Sequence, residues 1–281
     1  SLIGGLLELP FSLWQTFRLE ERFGFNKMTL RLWLADGLKG MLVGAIIGLP
    51  LAALILWLMG AAGTRWWLWA WMVWVGFNLT LMLIYPTFIA PLFNKFQPLD
   101  DATLKSRVTA LMKRCGFAAK GLFVMDGSRR SAHANAYFTG FGASKRVVFY
   151  DTLLRQLNAG EVEAVLAHEL GHFKHRHVLK RMVAMFAMSL AGFALLGWLS
   201  SQVWFYTGLG VQPNMAAPND ALALLLFMLA VPVFGVFLSP FAAMLSRKHE
   251  FEADAYAVAQ TSSADLSNAL LKLYQDNAST L

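Results

Sequence analysis

The sequence is poor in cysteine and in charge. Cys115 is its only cysteine, which excludes an internal disulfide and any metal site built from several thiolates; a bound metal has to use histidine and carboxylate. Charged residues are 15% of the 281 and hydrophobic residues 57%, against roughly 25% charge in ordinary soluble domains. That balance argues for a membrane protein. No internal repeat and no low-complexity tract is present. The net charge of +7 does not imply nucleic acid, because nucleic-acid binders concentrate Lys and Arg on a soluble face and lack long apolar spans.

Long uncharged runs are abundant. Residues 40–62, 66–84, 182–206 and 221–245 carry no Asp, Glu, Lys or Arg. At 1.5 Å per residue, about 20 residues of helix cross a hydrocarbon core of about 30 Å. Four spans are therefore expected. Ten Trp and 22 Phe suit lipid-facing surfaces and interfacial belts. Arg65 alone lies between the first two spans, and the 207–220 linker has no Lys or Arg. Every other basic residue precedes 40, falls within 95–181 or follows 245, and the positive-inside rule assigns those stretches to the cytoplasm. Pro50, Pro86, Pro91, Pro232 and Pro240 interrupt or end the apolar runs, as membrane helices tolerate where neighbours satisfy freed carbonyls. The apolar start, 1–17, reads equally as an interfacial helix or as the end of another membrane segment.

The 95–181 stretch reads as a soluble insert. Asp100 and Asp101 precede Leu104, Val108, Leu111, Met112 and Cys115 at helical spacing, and Gly116 marks the stop. Residues 121–125, 135–139 and 146–150 are short β-rich runs, the last two joined through 140–145 as a hairpin. A helix follows from near Asn158.

On that helix stands His168-Glu169-Leu170-Gly171-His172. Histidines four apart project from one helix face and can meet one ion, while Glu169, about 100° round the axis, can take a proton from a metal-bound water. A hydrolytic zinc centre needs a third protein ligand and an open position. His175 and His177 sit among Lys174, Arg176, Lys180 and Arg181 and read as an interfacial basic cluster. His133 lies in the hairpin region, in contact with substrate or solvated. The favoured third ligand is Glu250, with His249 and Glu252 as alternatives; Asp254, one turn after Glu250, is placed to accept the other N–H of a ligating histidine. His172 stands about 15 Å before the third span and Glu250 about 8 Å after the fourth, both on the cytoplasmic side by the charge argument.

These segments, with Ser131-Ala132-His133-Ala134-Asn135-Ala136-Tyr137-Phe138-Thr139-Gly140, resemble the type I CAAX prenyl endopeptidases. Residues 20–26, Glu-Glu-Arg-Phe-Gly-Phe-Asn, and 85–94, Tyr-Pro-Thr-Phe-Ile-Ala-Pro-Leu-Phe-Asn, are similar to the same proteins. The resemblance implies an integral membrane zinc protease whose helices surround a chamber, and the removal of three residues after a prenylated cysteine. It implies Glu250 as third ligand and Asn135 as a group binding substrate backbone or the oxyanion. The family has seven spans and a further His that assists the transition state. Four spans and an apolar start are legible here, and no such His is present, so upstream helices and a C-terminal stretch are expected to be missing.

The expected fold is mainly α, a polytopic α-helical membrane protein with a small cytoplasmic α+β zincin-like catalytic insert. Its parts are a partly membrane-associated segment at 1–39, a first transmembrane hairpin at 40–94, the insert at 95–181, a second hairpin at 182–245 and a cytoplasmic helix at 246–281. One Zn²⁺ is expected on His168, His172 and Glu250, with Glu169 as base and Asp254 behind a ligand. The Asn135, Tyr137 and Phe138 run and His133 are expected to meet an extended peptide, prenylated or plain. The bilayer is the other partner and nucleic acid is none; a bacterial inner membrane and the endoplasmic reticulum are equally compatible. A membrane quality-control protease uses the same chemistry. A zinc-binding scaffold or a metal transporter fits less well, since transporters place ionisable groups inside their spans.

Overall fold

The structure, a computed structural model, describes residues 2–140, 145–214 and 219–276. The chain opens on α1 (Leu2–Trp14), which runs on into a π-helical turn at Gln15–Glu20. Then come α2 (Leu30–Ala61), α3 (Trp66–Ile84) and the short α4 (Ala90–Phe93); β1 (Phe96–Pro98), α5 (Ala102–Arg114), β2 (Gly121–Met125), β3 (Ala136–Thr139) and β4 (Arg146–Tyr150) follow. The rest is helical: α6 (Asp151–Gln156), α7 (Ala159–Lys174), α8 (His177–Leu199), α9 (Val203–Gly208), α10 (Asp220–Gln260) and α11 (Ser263–Asp276).

Among the described residues, four helical stretches are long and apolar enough to cross a membrane: Leu30–Ala61, Gly63–Phe93, His177–Leu199 and Asp220–Gln260. Their number agrees with the uncharged runs, but their ends do not. Helix α2 starts ten residues before 40, where Thr29 Oγ1 accepts the Leu32 N–H. Helix α10 continues through Pro232 and Pro240 and fifteen residues past 245. A helix ends where its terminal amides or carbonyls find other partners, not where its hydrophobicity falls.

The chain forms two compact units, Ser1–Lys39 with Leu83–His175 and Glu250–Leu281, and Gly40–Met82 with Arg176–His249. The second unit is built on Ile55, Met59, Trp66, Ala70, Leu196, Phe205, Tyr206 and Leu226. Two of its polar groups bond within it: Tyr206 donates to the Ser200 carbonyl at 2.6 Å and Trp71 Nε1 to the Phe186 carbonyl at 3.1 Å. Leu49, Val233, Phe237, Phe241 and Met244 point outward and are exposed, as a lipid-facing surface requires. His177 and His249 are buried and stack at 4.0 Å in this unit, so the interfacial reading does not fit His177, and the His249 ring is engaged there.

The first unit carries the sheet, in the order β1-β2-β4-β3, with β2 and β4 parallel and both outer pairs antiparallel. Strand β1 has no periodicity to read: it is three residues long and ends in Pro98, which only an edge strand tolerates. Residues 141–144 of the expected hairpin connection lie outside the described residues. One sheet face, through Leu122, Ala136, Val147 and Phe149, packs on Val108 and Leu111 of α5 and Val162, Leu166 and Leu170 of α7. Asp101 caps α5 by accepting the Leu104 N–H at 2.9 Å, and Gly116 takes the left-handed conformation that stops it.

Candidate active site

Helix α7 is fixed at its start and tied on two sides. Asn158 Oδ1 accepts the Glu161 N–H at 3.0 Å while Glu161 Oε2 accepts the Asn158 N–H at 2.8 Å, a reciprocal capping box. Lys272 of α11 reaches the same Glu161 oxygen at 2.7 Å. Burial pushes the Glu161 carboxyl up, but the Lys272 and Asn158 hydrogen bonds and the lysine charge outweigh it, and the net shift is below the usual carboxylate value. Glu163 joins Arg107 at 2.8 Å and Arg114 at 3.2 Å, tying α7 to α5. The core face of the helix thereby presents His168, Glu169 and His172 on the opposite side.

Helix α10 crosses α7 at Gly171. A Cβ there would stand 2.8 Å from Ala253 Cα and 3.0 Å from the Ala253 carbonyl oxygen, so the approach requires glycine. The crossing puts Glu250 and Asp254, one turn apart, over the histidines. His168 Nε2 and His172 Nε2 are 3.2 Å apart, and Glu250 Oε2 lies 3.4 Å from the first and 3.6 Å from the second. These donors converge as ligands of one ion do. Asp254 Oδ1 is 2.7 Å from His168 Nδ1; a carboxylate there accepts a hydrogen bond from the Nδ1–H, which fixes the tautomer that leaves Nε2 a lone pair. Burial pushes the Glu169 carboxyl up to about 7; His168 opposes the rise and Glu250 adds to it.

The other expected site residues lie on or before β3, an edge strand whose Ala136 side packs towards α7. Tyr150 N–H donates to the Asn135 carbonyl, and with the β3–β4 register the antiparallel alternation turns the main-chain groups of Ala136 and Phe138 to the free edge. Asn135 is exposed, and its Oδ1 accepts the Ala136 N–H at 2.8 Å. Phe138 leans on Phe117, which meets Phe173 at the end of α7. Tyr137 is not brought to the histidines. Its ring lies on the far sheet face, in a small cleft with Tyr85, Phe96, Phe123 and Arg146, and burial lifts its phenol to about 12. The His133 ring lies tilted by 31° against Phe25, with ring centres 4.6 Å apart. Gly171 and Lys272 carry no chemistry visible in the sequence; the only signal for Gly171 was its place inside the motif.

A chain with four membrane-length helices and a His-His-Glu cluster flanked by a carboxylate has the build of a membrane metallopeptidase. It belongs to peptidase family M48. Residues 98–280 match the family's profile, and residues 1–95 match one described as CAAX prenyl protease N-terminal, five membrane helices. A protein of Arabidopsis thaliana called CAAX prenyl protease 1 homolog is 38% identical over 279 residues, covering 98% of this chain and 64% of that protein. CAAX prenyl protease 1 of Saccharomyces cerevisiae is 36% identical, over 100% of this chain and 65% of its own length. The crystal structure of S. mikatae Ste24p superposes with a TM-score of 0.91 at 34% identity, over 99% of this chain and 67% of that one. The chain thus spans just under two thirds of the first two relatives' length.

Proposed function

We propose that the chain is a membrane-embedded zinc endopeptidase that releases the C-terminal tripeptide of prenylated CAAX-type peptides, with its active site on the cytoplasmic side. The reading is carried by the convergence of His168, His172 and Glu250 beside Glu169. Zinc bonds of about 2.0–2.1 Å in tetrahedral geometry set ligand atoms about 3.3–3.4 Å apart, and the three donor separations, 3.2, 3.4 and 3.6 Å, straddle that value. The bound ion would supply carbonyl polarisation and a water acidic near neutral pH. Glu169, with a carboxyl near 7, takes the water's proton and returns it to the leaving amine. The Ala136 carbonyl and the Phe138 main-chain groups are offered to an extended peptide, and the Asn135 side-chain amide donates to its backbone or to the developing oxyanion. The names of the relatives support the prenylated substrate.

Glu169→Gln keeps the shape and removes the base. Hydrolysis of a farnesylated peptide should fall by about 10²–10⁴-fold while the zinc content stays at the parent's level; near-parental turnover would overturn the role. The unmodified peptide serves as comparison, since equal rates for the two would favour a quality-control protease.

A further inference from the structure

Three sequence segments, two of them unused by the chemistry, meet at one place. The run from Asp126 to Asn135, which leads into β3, has only a short turn of regular structure of its own. It is gripped from outside. Arg130, 19% exposed, donates from Nε to Asp36 Oδ2 at 2.8 Å, from Nη1 to Asn94 Oδ1 at 2.9 Å and from Nη2 to the Phe93 carbonyl. Its own carbonyl accepts the Lys27 N–H, and the Ala132 N–H donates to the Phe25 carbonyl. Asn26 bridges Ser131, and the Phe25 ring covers His133. The Lys95 N–H donates to Asp126 Oδ1 at 2.7 Å, and the Asp126 N–H to the Lys95 carbonyl at 3.2 Å. The 20–26 and 85–94 motifs thus close on the third motif, directly upstream of Asn135.

The two ends of β3 are held differently. Its Phe138 end is tied towards α7 through Phe117 and Phe173. Its Asn135 end is fixed by the β4 ladder and by this grip. A substrate carbonyl must be presented to the metal and to Glu169 with sub-ångström accuracy, and a 1 Å misplacement costs about 10²-fold. We infer that Arg130 is a positioning residue for peptide hydrolysis: by fastening the Arg130–His133 run to Asp36, Asn94 and Phe93, its guanidinium keeps Asn135 and the free edge of β3 in register with the metal centre. This inference rests on the proposed peptide-binding role of that edge. A lysine cannot replace the group, since one ammonium cannot span three acceptors that a planar fork reaches together.

The experiment compares full-length parent, Arg130→Gln, Arg130→Lys and Phe25→Leu, each zinc-loaded. Dissociation constants for a farnesylated peptide are read in the Glu169→Gln background, and kcat/KM is read with Glu169 intact. Zinc stoichiometry, Tm and inhibition by acetohydroxamate, which needs only the metal, serve as controls. Arg130→Gln should weaken peptide binding and kcat/KM about 10- to 100-fold, with zinc content and hydroxamate inhibition within about twofold of the parent; Arg130→Lys should not rescue it. Phe25→Leu, a milder change, should show a smaller loss of the same kind. Peptide affinity within twofold of the parent in Arg130→Gln overturns the inference, as does loss of zinc and hydroxamate inhibition in step with the peptide. Should Arg130→Gln not fold, Arg130→Lys and Phe25→Leu decide by the same criteria. A parent that binds peptide without cleaving it would sink the proposed function and still judge Arg130; a parent that binds none would overturn both.

Discussion

Gly171 shows how a residue without a side chain sets the spacing of the proposed metal ligands. It lies between the two histidines, and its hydrogen faces the main chain of Ala253 at a distance no Cβ can occupy. An added methyl would meet Cα and carbonyl atoms, so shortening Ala253 to Gly would not relieve the clash. The helices would have to part, and Glu250, three residues from the crossing, would withdraw from His168 and His172. Gly171→Ala should therefore cost about 1–3 kcal/mol of overpacking strain. Where that strain is relieved by releasing the third ligand, zinc affinity falls about fivefold to more than a hundredfold, at 1.4 kcal/mol per factor of ten. Competition against a chelator measures this; an unchanged zinc dissociation constant would mean that the crossing does not set the ligand distance. The two histidines were legible in the sequence because one helix turn fixes their relation. Glu250 was legible from its four-residue spacing to Asp254 and its place after a span, and the family resemblance implied the same residue. Gly171 and Arg130 were not legible, because what each meets lies 82 residues ahead or 36 and 94 residues behind.

At the scale of elements, α7 is a helix whose start and orientation are stated by local chemistry. Asn158 and Glu161 spell out its cap in sequence, and the apolar spacing of Val162, Leu166 and Leu170 gives its core face. The strands β2 and β4 alternate or run apolar and were readable for the same reason, whereas β1 exists only because Met125, Val124 and Phe123 offer it an edge. The Lys272 clamp was hidden because it comes from another helix. It makes a testable claim about acid stability. The Glu161 carboxyl is lowered in the fold relative to its ordinary value of 4.5. Its contribution is thus complete above that value and is lost as pH falls below it and through the lowered native value. Glu161→Gln should destabilise the chain by about 1–3 kcal/mol near neutrality. Its Tm should also fall less steeply than the parent's between about pH 5 and 3. Parallel curves for the two proteins would show that the clamp carries no proton linkage.

Across the whole molecule, the scarcity of charge and its placement work together. All but one of the basic residues fall before 40, in 95–181 or after 245, and along the sequence the apolar runs of the four membrane-length helices lie between those stretches and either Arg65 or the 207–220 linker. Basic segments are retained on the cytoplasmic side during insertion, and on that rule the metal cluster is proposed to lie on that side. The single cysteine permits a direct test. With Cys115 replaced by Ala, a cysteine is introduced at Asp100 or at Gln212, both exposed, and sealed vesicles with the cytoplasmic face outward are treated with a membrane-impermeant maleimide. Asp100→Cys should label at once, and Gln212→Cys only after permeabilisation. The opposite pattern would place the peptidase centre on the other side of the membrane, away from cytoplasmic substrates, and labelling of both in sealed vesicles would mean that the chain does not separate the two linkers across a bilayer.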